Sequence, residues 1–236
     1  MNYHYILFDA DDTLFDYPLA ESQALSRTLA SEGIDCTDEV MEAYQAINGQ
    51  LWREFEQGAI ALASLRTERF ARLIARLELS VRSDAEQISE RYLRQLGEGV
   101  YLLEGAYNLC RDLVESGVRL AIITNGIKEV QMNRIGKSPL ADMFDAIIVS
   151  EDTGYQKPHP GIFDYAFAKL GLTDKSRALI VGDSLTSDMK GGIDYGIDTC
   201  WYNPHHRPNT LGLQPTYEIR SLEEVKGLIG GSGESR

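Results

Sequence analysis

The sequence predicts an α/β protein with a doubly wound parallel sheet, opened after its first strand by an inserted bundle of α-helices. Three observations predict it. Short apolar runs of strand length recur between stretches of helical period. Polar side chains gather just after those runs, where open α/β sheets bind their ligands. The gap between the first run and the second is far longer than one crossover helix, and its pattern is helical throughout.

Five runs read as strands buried on both faces: Tyr5 to Phe8, Leu120 to Ile123, Ala146 to Val149, Ala178 to Val181 and Thr199 to Tyr202. The helices from Gly105 to Ser116 and from Gly161 to Leu170 stop at Gly117 and Gly171, which suit left-handed C-terminal caps. In the long gap, helices are expected from Leu19 to Glu32, Asp38 to Gln57, Ser64 to Leu77 and Asp84 to Leu96. Gly33 and Gly58 punctuate the first two, and Ser83 with Glu86 forms a capping box before the fourth. Leu65, Phe70, Leu73, Ile74 and Leu77 recur at helical spacing, so the insert should be a small bundle with one buried face. The division read from these elements is a core of residues 1–15 and 98–229, an insert of residues 16–97, and a polar Gly/Ser-rich tail, 230–236, expected to be disordered.

Composition narrows the function. With 236 residues, 43% of them hydrophobic, the chain can bury a sizeable core. Its formal charge of −13 repels nucleic acid and anionic membrane surfaces, so an anionic substrate would need a local positive site. No apolar run approaches the roughly 18 residues of a membrane span, and the N-terminus has no basic segment leading into an apolar one. Cys36, Cys110 and Cys200 follow no metal-ligand spacing and read as buried small apolar residues, which suits the cytoplasm.

The chemistry is expected at the strand ends. The first strand ends in Asp9-Ala10-Asp11-Asp12-Thr13, the second in Thr124-Asn125-Gly126, and the fourth in Gly182-Asp183-Ser184, with Asp188 five residues after Asp183. Lys157 stands in Lys157-Pro158-His159-Pro160, before the helix that follows the third strand. Asp9, Asp11, Asp183 and Asp188 should converge on one edge. Two carboxylates about 4 Å apart repel by roughly 4 kcal/mol at an effective dielectric near 20, so such a cluster needs a cation. Hard oxygen donors favour Mg²⁺, which joins carboxylates to a substrate phosphate. Lys157 adds a fixed positive charge, and the Thr124 hydroxyl with nearby backbone amides can donate to phosphoryl oxygens.

These residues, in this order, resemble the haloacid dehalogenase superfamily, whose phosphatases carry Asp-x-Asp-x-Thr, a Thr or Ser closing the second strand, a Lys, and Gly-Asp-x-x-x-x-Asp. The resemblance implies a Rossmann-like core with a helical cap, Asp9 as nucleophile, and Asp11 as general acid and base. It also implies Thr124, Asn125 and Lys157 at the phosphate, and Asp9, Asp11, Asp183 and Asp188 around Mg²⁺. An acid two residues after the nucleophile points to phosphate esters, since the dehalogenases lack it. A cap inserted after the first motif implies a small soluble substrate, with specificity set by the cap.

A narrower resemblance, to bacterial pyrimidine 5′-nucleotidases of the YjjG type, rests on Phe8 to Phe15, on Asn48-Gly49-Gln50-Leu51-Trp52 with Gly58-Ala59-Ile60, and on Ile123 to Gly126. It continues through Lys157-Pro158, Ile162-Phe163-Asp164-Tyr165-Ala166, and Trp201-Tyr202-Asn203 before His205-His206-Arg207. It implies a nucleoside monophosphate substrate, with UMP, dUMP and TMP foremost; the chain itself is expected to be a monomer or homodimer. The chain departs from that pattern at Gly136-Lys137-Ser138-Pro139-Leu140, expected to lengthen or stiffen a surface loop. A phosphatase for phosphoglycolate or a sugar phosphate, a phosphomutase and a phosphoacceptor signalling module are the competing functions. Several residues have plainer readings. Trp52 and Phe55, three apart on a helix, suit core packing; adjacent His205 and His206 point to opposite faces and suit a loop; Asp12 faces away from Asp11 if the chain stays extended; Asp188 could lie near a helix start around Ser187.

Overall fold

The computed structural model describes residues 3–230, so the expected tail lies outside them except for Gly230. The chain forms two compact units, one of residues 3–17 and 101–230 and the other Pro18–Val100.

In the first unit, six parallel strands run in the order β3-β2-β1-β4-β5-β6: β1 (Tyr5–Phe8), β2 (Arg119–Thr124), β3 (Ala146–Val149), β4 (Ala178–Gly182), β5 (Asp198–Tyr202) and β6 (Tyr217–Ile219). Alternate side chains of each strand enter different cores. On one face Ile6, Phe8, Ile122 and Val181 pack with Leu109 and Leu113 of α5 (Ala106–Glu115) and Ile135 of α6 (Lys128–Lys137). On the other, Leu7, Ile123 and Ile180 pack with Phe163 and Phe167 of α8 (Pro160–Leu170) and Tyr195 of α9 (Lys190–Tyr195). The short helices α7 (Ser150–Thr153) and α10 (Val225–Gly230) complete the unit. Strands covered on both faces lose the polar alternation of an exposed sheet, which is why five of the six read as unbroken apolar runs. The sixth, β6, has three residues, one of them the exposed Glu218, and only pairing with β5 defines it.

Strand order reverses at β1, and Phe8 pairs with Ile122 of β2 and with Val181 of β4. The residues that follow these three therefore emerge side by side at one sheet edge, the usual ligand position in such folds.

In the second unit, α1 (Tyr17–Glu32), α2 (Asp38–Glu56), α3 (Leu62–Leu77) and α4 (Ala85–Glu98) form the bundle, α1 starting one residue earlier. Tyr44, Phe70 and Tyr92 meet at its centre with ring centroids 5.3 to 5.7 Å apart. Leu65 and Leu73 are buried with them, while Ile74 and Leu77 are half-buried. Trp52 and Phe55 pack edge to face on each other, 5.8 Å apart. The capping box expected at Ser83 is corrected to a cap by Asp84, whose carboxylate accepts from the Gln87 amide at 2.9 Å. The reason is Glu32, a buried carboxylate that accepts from the Arg82 and Ser83 amides at 2.7 and 3.0 Å and pairs with Arg91.

Two other expectations are corrected. Cys110 and Cys200 are buried, but Cys36 is half-exposed. The segment from Gly136 to Leu140 is only in part the surface loop expected: Gly136, Lys137 and Pro139 are exposed, but α6 runs on to Lys137 and Leu140 is buried in the sheet core. Among the described residues no helix is long and apolar enough to cross a membrane.

Burial would raise the Glu32 carboxyl, but the Ser83 hydroxyl and the two amides outweigh it and hold it below the ordinary value. A depressed carboxyl stabilises the fold above the unfolded-state pKa, and that share is lost as pH falls through the folded one. Glu32→Ala should therefore cost about 2 kcal/mol at neutral pH. In urea denaturation the gap from the unsubstituted protein should narrow on acidification.

Candidate active site

Asp9 continues β1 by one residue, its amide donating to the Val181 carbonyl at 2.9 Å, and its side chain is buried. The chain then folds back: the Leu14 and Phe15 amides both donate to the Ala10 carbonyl, at 3.0 and 2.9 Å. Asp12 takes φ +59°, a left-handed conformation that a short polar side chain tolerates. The chain is thus not extended here, and the expectation for Asp12 that rested on extension is corrected. Thr13 is buried, and its hydroxyl has no partner among the described residues.

Thr124 closes β2, and its buried hydroxyl accepts from the Gly126 amide at 3.0 Å while keeping its own proton to donate. Asn125 clamps a distant loop: its amide donates to the Lys157 carbonyl at 2.9 Å, and its carbonyl accepts from the Lys157 amide at 2.7 Å. That clamp carries Lys157 inward across a cis Lys157-Pro158 bond. The ammonium is 1% exposed and spends all three donors, on Asp9 at 2.6 Å, Asp188 at 2.7 Å and the Ile123 carbonyl at 2.6 Å.

After β4 the chain makes one wide turn over Leu185–Met189, rather than an α-helix starting near Ser187, and α9 follows. Ser184 caps that turn with its hydroxyl and donates its own amide to the Asp188 carboxylate at 3.1 Å. Asp188 is thereby bent back over Gly182, where any β-carbon would collide with its carboxylate. Asp183 is held from outside by Arg207, whose guanidinium donates to its carboxylate at 3.1 Å and its carbonyl at 2.9 Å; the Trp201 indole also donates to that carbonyl, at 2.9 Å. Buried Asn203 fixes Arg207 by bonding both ends of its backbone, whereas His205 and His206 on the same loop are exposed.

Asp9, Asp183 and Asp188 each offer an oxygen within 4.8 Å of the others. Lys157 neutralises one of the three charges, Arg207 screens Asp183 from the solvent side, and neither His nor Cys joins the group. Burial pushes the Asp9 carboxyl up to about 7, Lys157 opposing and Asp188 adding to the rise. Asp183 is pushed up in the same way by burial and by Asp188 and Asp9. Burial alone would lower the Lys157 ammonium, but Asp188 and Asp9 outweigh it and hold it above its ordinary value. This donor set fits a hard divalent cation.

Of the expected residues, Asp9, Lys157, Asp183 and Asp188 meet directly. Asp11 stands apart from the three-carboxylate group, its carboxylate accepting from Gln131 at 2.6 Å and from Arg134. Gln131 and Arg134 escaped the sequence reading. Their signal was there to find: two polar side chains three apart on a helix that opens just after Thr124-Asn125-Gly126, on its buried side.

Residues 6–202 match the family described as haloacid dehalogenase-like hydrolase. The chain belongs to that family. As a haloacid dehalogenase-like hydrolase it is similar over nearly its whole length to three bacterial proteins. It is 40% identical to the HAD-hydrolase YfnB of Bacillus subtilis, covering 96% of this chain and 95% of that protein. It is 36% identical to the pyrimidine 5′-nucleotidase YjjG of Escherichia coli, covering 97% and 99%. It is 35% identical to the pyrimidine 5′-nucleotidase PynA of Streptococcus pneumoniae, covering 95% and 94%. The crystal structure of YfnB bound to magnesium superposes with a TM-score of 0.90 over 98% of this chain and 100% of that one. The hydrolase is an enzyme of the phosphoric monoester hydrolase class, a phosphatase of its family.

A raised carboxyl stabilises the fold below its unfolded-state pKa and loses that contribution as pH rises through the folded value. In EDTA, the melting temperature should therefore fall as pH is raised through about 7, where Asp9 ionises. Asp9→Asn should show a shallower fall in the same thermal scans.

Proposed function

We propose that the chain is a Mg²⁺-dependent 5′-nucleotidase that hydrolyses pyrimidine nucleoside monophosphates through an aspartyl phosphate on Asp9. The observation that carries the reading is the buried group itself. Asp9, Asp183 and Asp188 crowd within 4.8 Å with one ammonium among them, which leaves negative charge that a divalent cation balances. Asp9, Asp183 and Asp188 would hold the cation, which when bound would offset charge on the phosphoryl oxygens.

Asp9 gives one oxygen to Lys157, and its other oxygen meets no donor among the described residues, which suits a nucleophile. In the first step that oxygen bonds to phosphorus as the ester P–O bond breaks, and Asp11 delivers a proton to the departing 5′-oxygen. In the second, water attacks the phosphorus of the aspartyl phosphate, Asp11 takes the water's proton, and the bond to Asp9 breaks to release phosphate. Thr124 donates to a phosphoryl oxygen, Lys157 keeps its positive charge beside Asp9, and Asn125 acts through Lys157 by clamping its backbone.

The pyrimidine nucleotide is proposed on the pyrimidine 5′-nucleotidase activity of the YjjG and PynA relatives, which align with 97% and 95% of this chain. The domain limits of 1–15 with 98–229 and 16–97, and a cytoplasmic site of action, belong to the same proposal. A phosphate-release screen should favour UMP, dUMP and TMP over purine nucleotides, phosphoglycolate and sugar phosphates. Activity should vanish in EDTA and return with Mg²⁺. Asp9→Asn should lower kcat by roughly 10³-fold or more while circular dichroism stays native, and a variant that retained turnover would refute the assignment.

A further inference from the structure

We infer that Gln131 and Arg134 are positioning residues that aim the Asp11 carboxyl for its proton transfers, an inference that rests on the proposed phosphatase chemistry. The three side chains close a ring. Gln131 Nε2 donates to Asp11 Oδ2 at 2.6 Å, Arg134 Nη2 donates to Asp11 Oδ1, and the same Nη2 donates to Gln131 Oε1 at 2.9 Å. Each Asp11 oxygen thus has its own donor, and the two donors are locked to each other.

The ring is built into the fold from several sides. Gln131 and Arg134 lie one turn apart on α6, which opens directly after the strand end that carries Thr124. Gly126 leaves the room for Gln131, because a β-carbon there would collide with its amide. Phe15, at the close of the turn that begins at Asp9, lies under the guanidinium at 4.7 Å from its ring centroid. The loop after β1 and the helix after β2 therefore meet through Asp11.

A purely structural staple would be a poor use of these groups. Arg134 is 0% exposed, yet its Nε and Nη1 have no partner among the described residues. With Arg134 buried and Asp11 partly exposed, an ion pair of this kind adds little net stability over an apolar pair of similar volume. Val130 and Ile135 of the same helix are already buried. What the polar ring adds is direction: a carboxyl held at both oxygens by planar groups has a defined orientation, whereas one facing solvent would sample several.

The experiment separates aim from packing by the leaving group. A 5′-alkoxide cannot depart without a proton, while 2,4-dinitrophenolate departs unaided, so only the first ester depends on Asp11 in the step that transfers phosphorus to Asp9. For Gln131→Met and Arg134→Met, kcat/KM would be measured with UMP and with 2,4-dinitrophenyl phosphate, with thermal melts to confirm folding. The ratio of the two, UMP over aryl ester, should fall on the order of 10²-fold. Arg134→Lys, which keeps the charge but loses the planar fork, should recover only part of it. Equal losses on both esters would mean a structural role and overturn the inference, as would unchanged rates; if Arg134→Met does not fold, Gln131→Met decides alone. Unsubstituted protein inactive on both esters would overturn the proposed function and mechanism, and this inference with it.

Discussion

The buried ammonium of Lys157, set between Asp9 and Asp188, is the interaction around which the active-site end of the sheet is organised. A charge in that place is costly to desolvate and is tolerated because its three donors are all matched. Each matching partner needs a device of its own. Parallel register puts Asp9 and the Ile123 carbonyl at neighbouring strand ends, the wide turn after Ser184 returns Asp188 over Gly182, and Asn125 grips the backbone on both sides of the lysine. Remove the lysine and the carboxylates are left buried against one another, which is the same electrostatic problem that a divalent ion would relieve.

The acidic residues divide by surroundings. Asp9 and Asp183 are both pushed up by burial and by Asp188, while Asp11, only two residues from Asp9, is taken by neutral and cationic donors from a helix. Two carboxylates two residues apart thereby have different surroundings: Asp9 meets a buried ammonium and two further carboxylates, whereas Asp11 is held by Gln131 and Arg134.

Much of this was legible in the sequence because it is local. The strand runs end where the polar motifs begin, and doubly wound topology alone brings those ends together, so Asp9, Thr124, Lys157 and Asp183 could be placed on one edge before any coordinates. What stayed hidden depends on contacts distant in sequence. Strand β6 has no apolar run of its own. Asp84 rather than Ser83 caps its helix because Glu32, some fifty residues earlier, claims the Ser83 amide. Asp12 departs from an extended path because the loop folds onto Ala10. Arg134 reads as an ordinary helix arginine until the fold buries it against Asp11 and Phe15.

The central claim is that this cluster exists so that Asp9 can carry a phosphoryl group, and it is tested most directly by trapping that group. The protein would be mixed with UMP and Mg²⁺, quenched in acid within milliseconds, digested, and read by mass spectrometry for phosphate on the peptide that spans Asp9. Phosphate on Asp9, appearing before free phosphate accumulates and absent without Mg²⁺, is the predicted result. Steady release of phosphate from UMP with no phosphorylated Asp9 at any quench time, or with the label on another residue, would contradict the account.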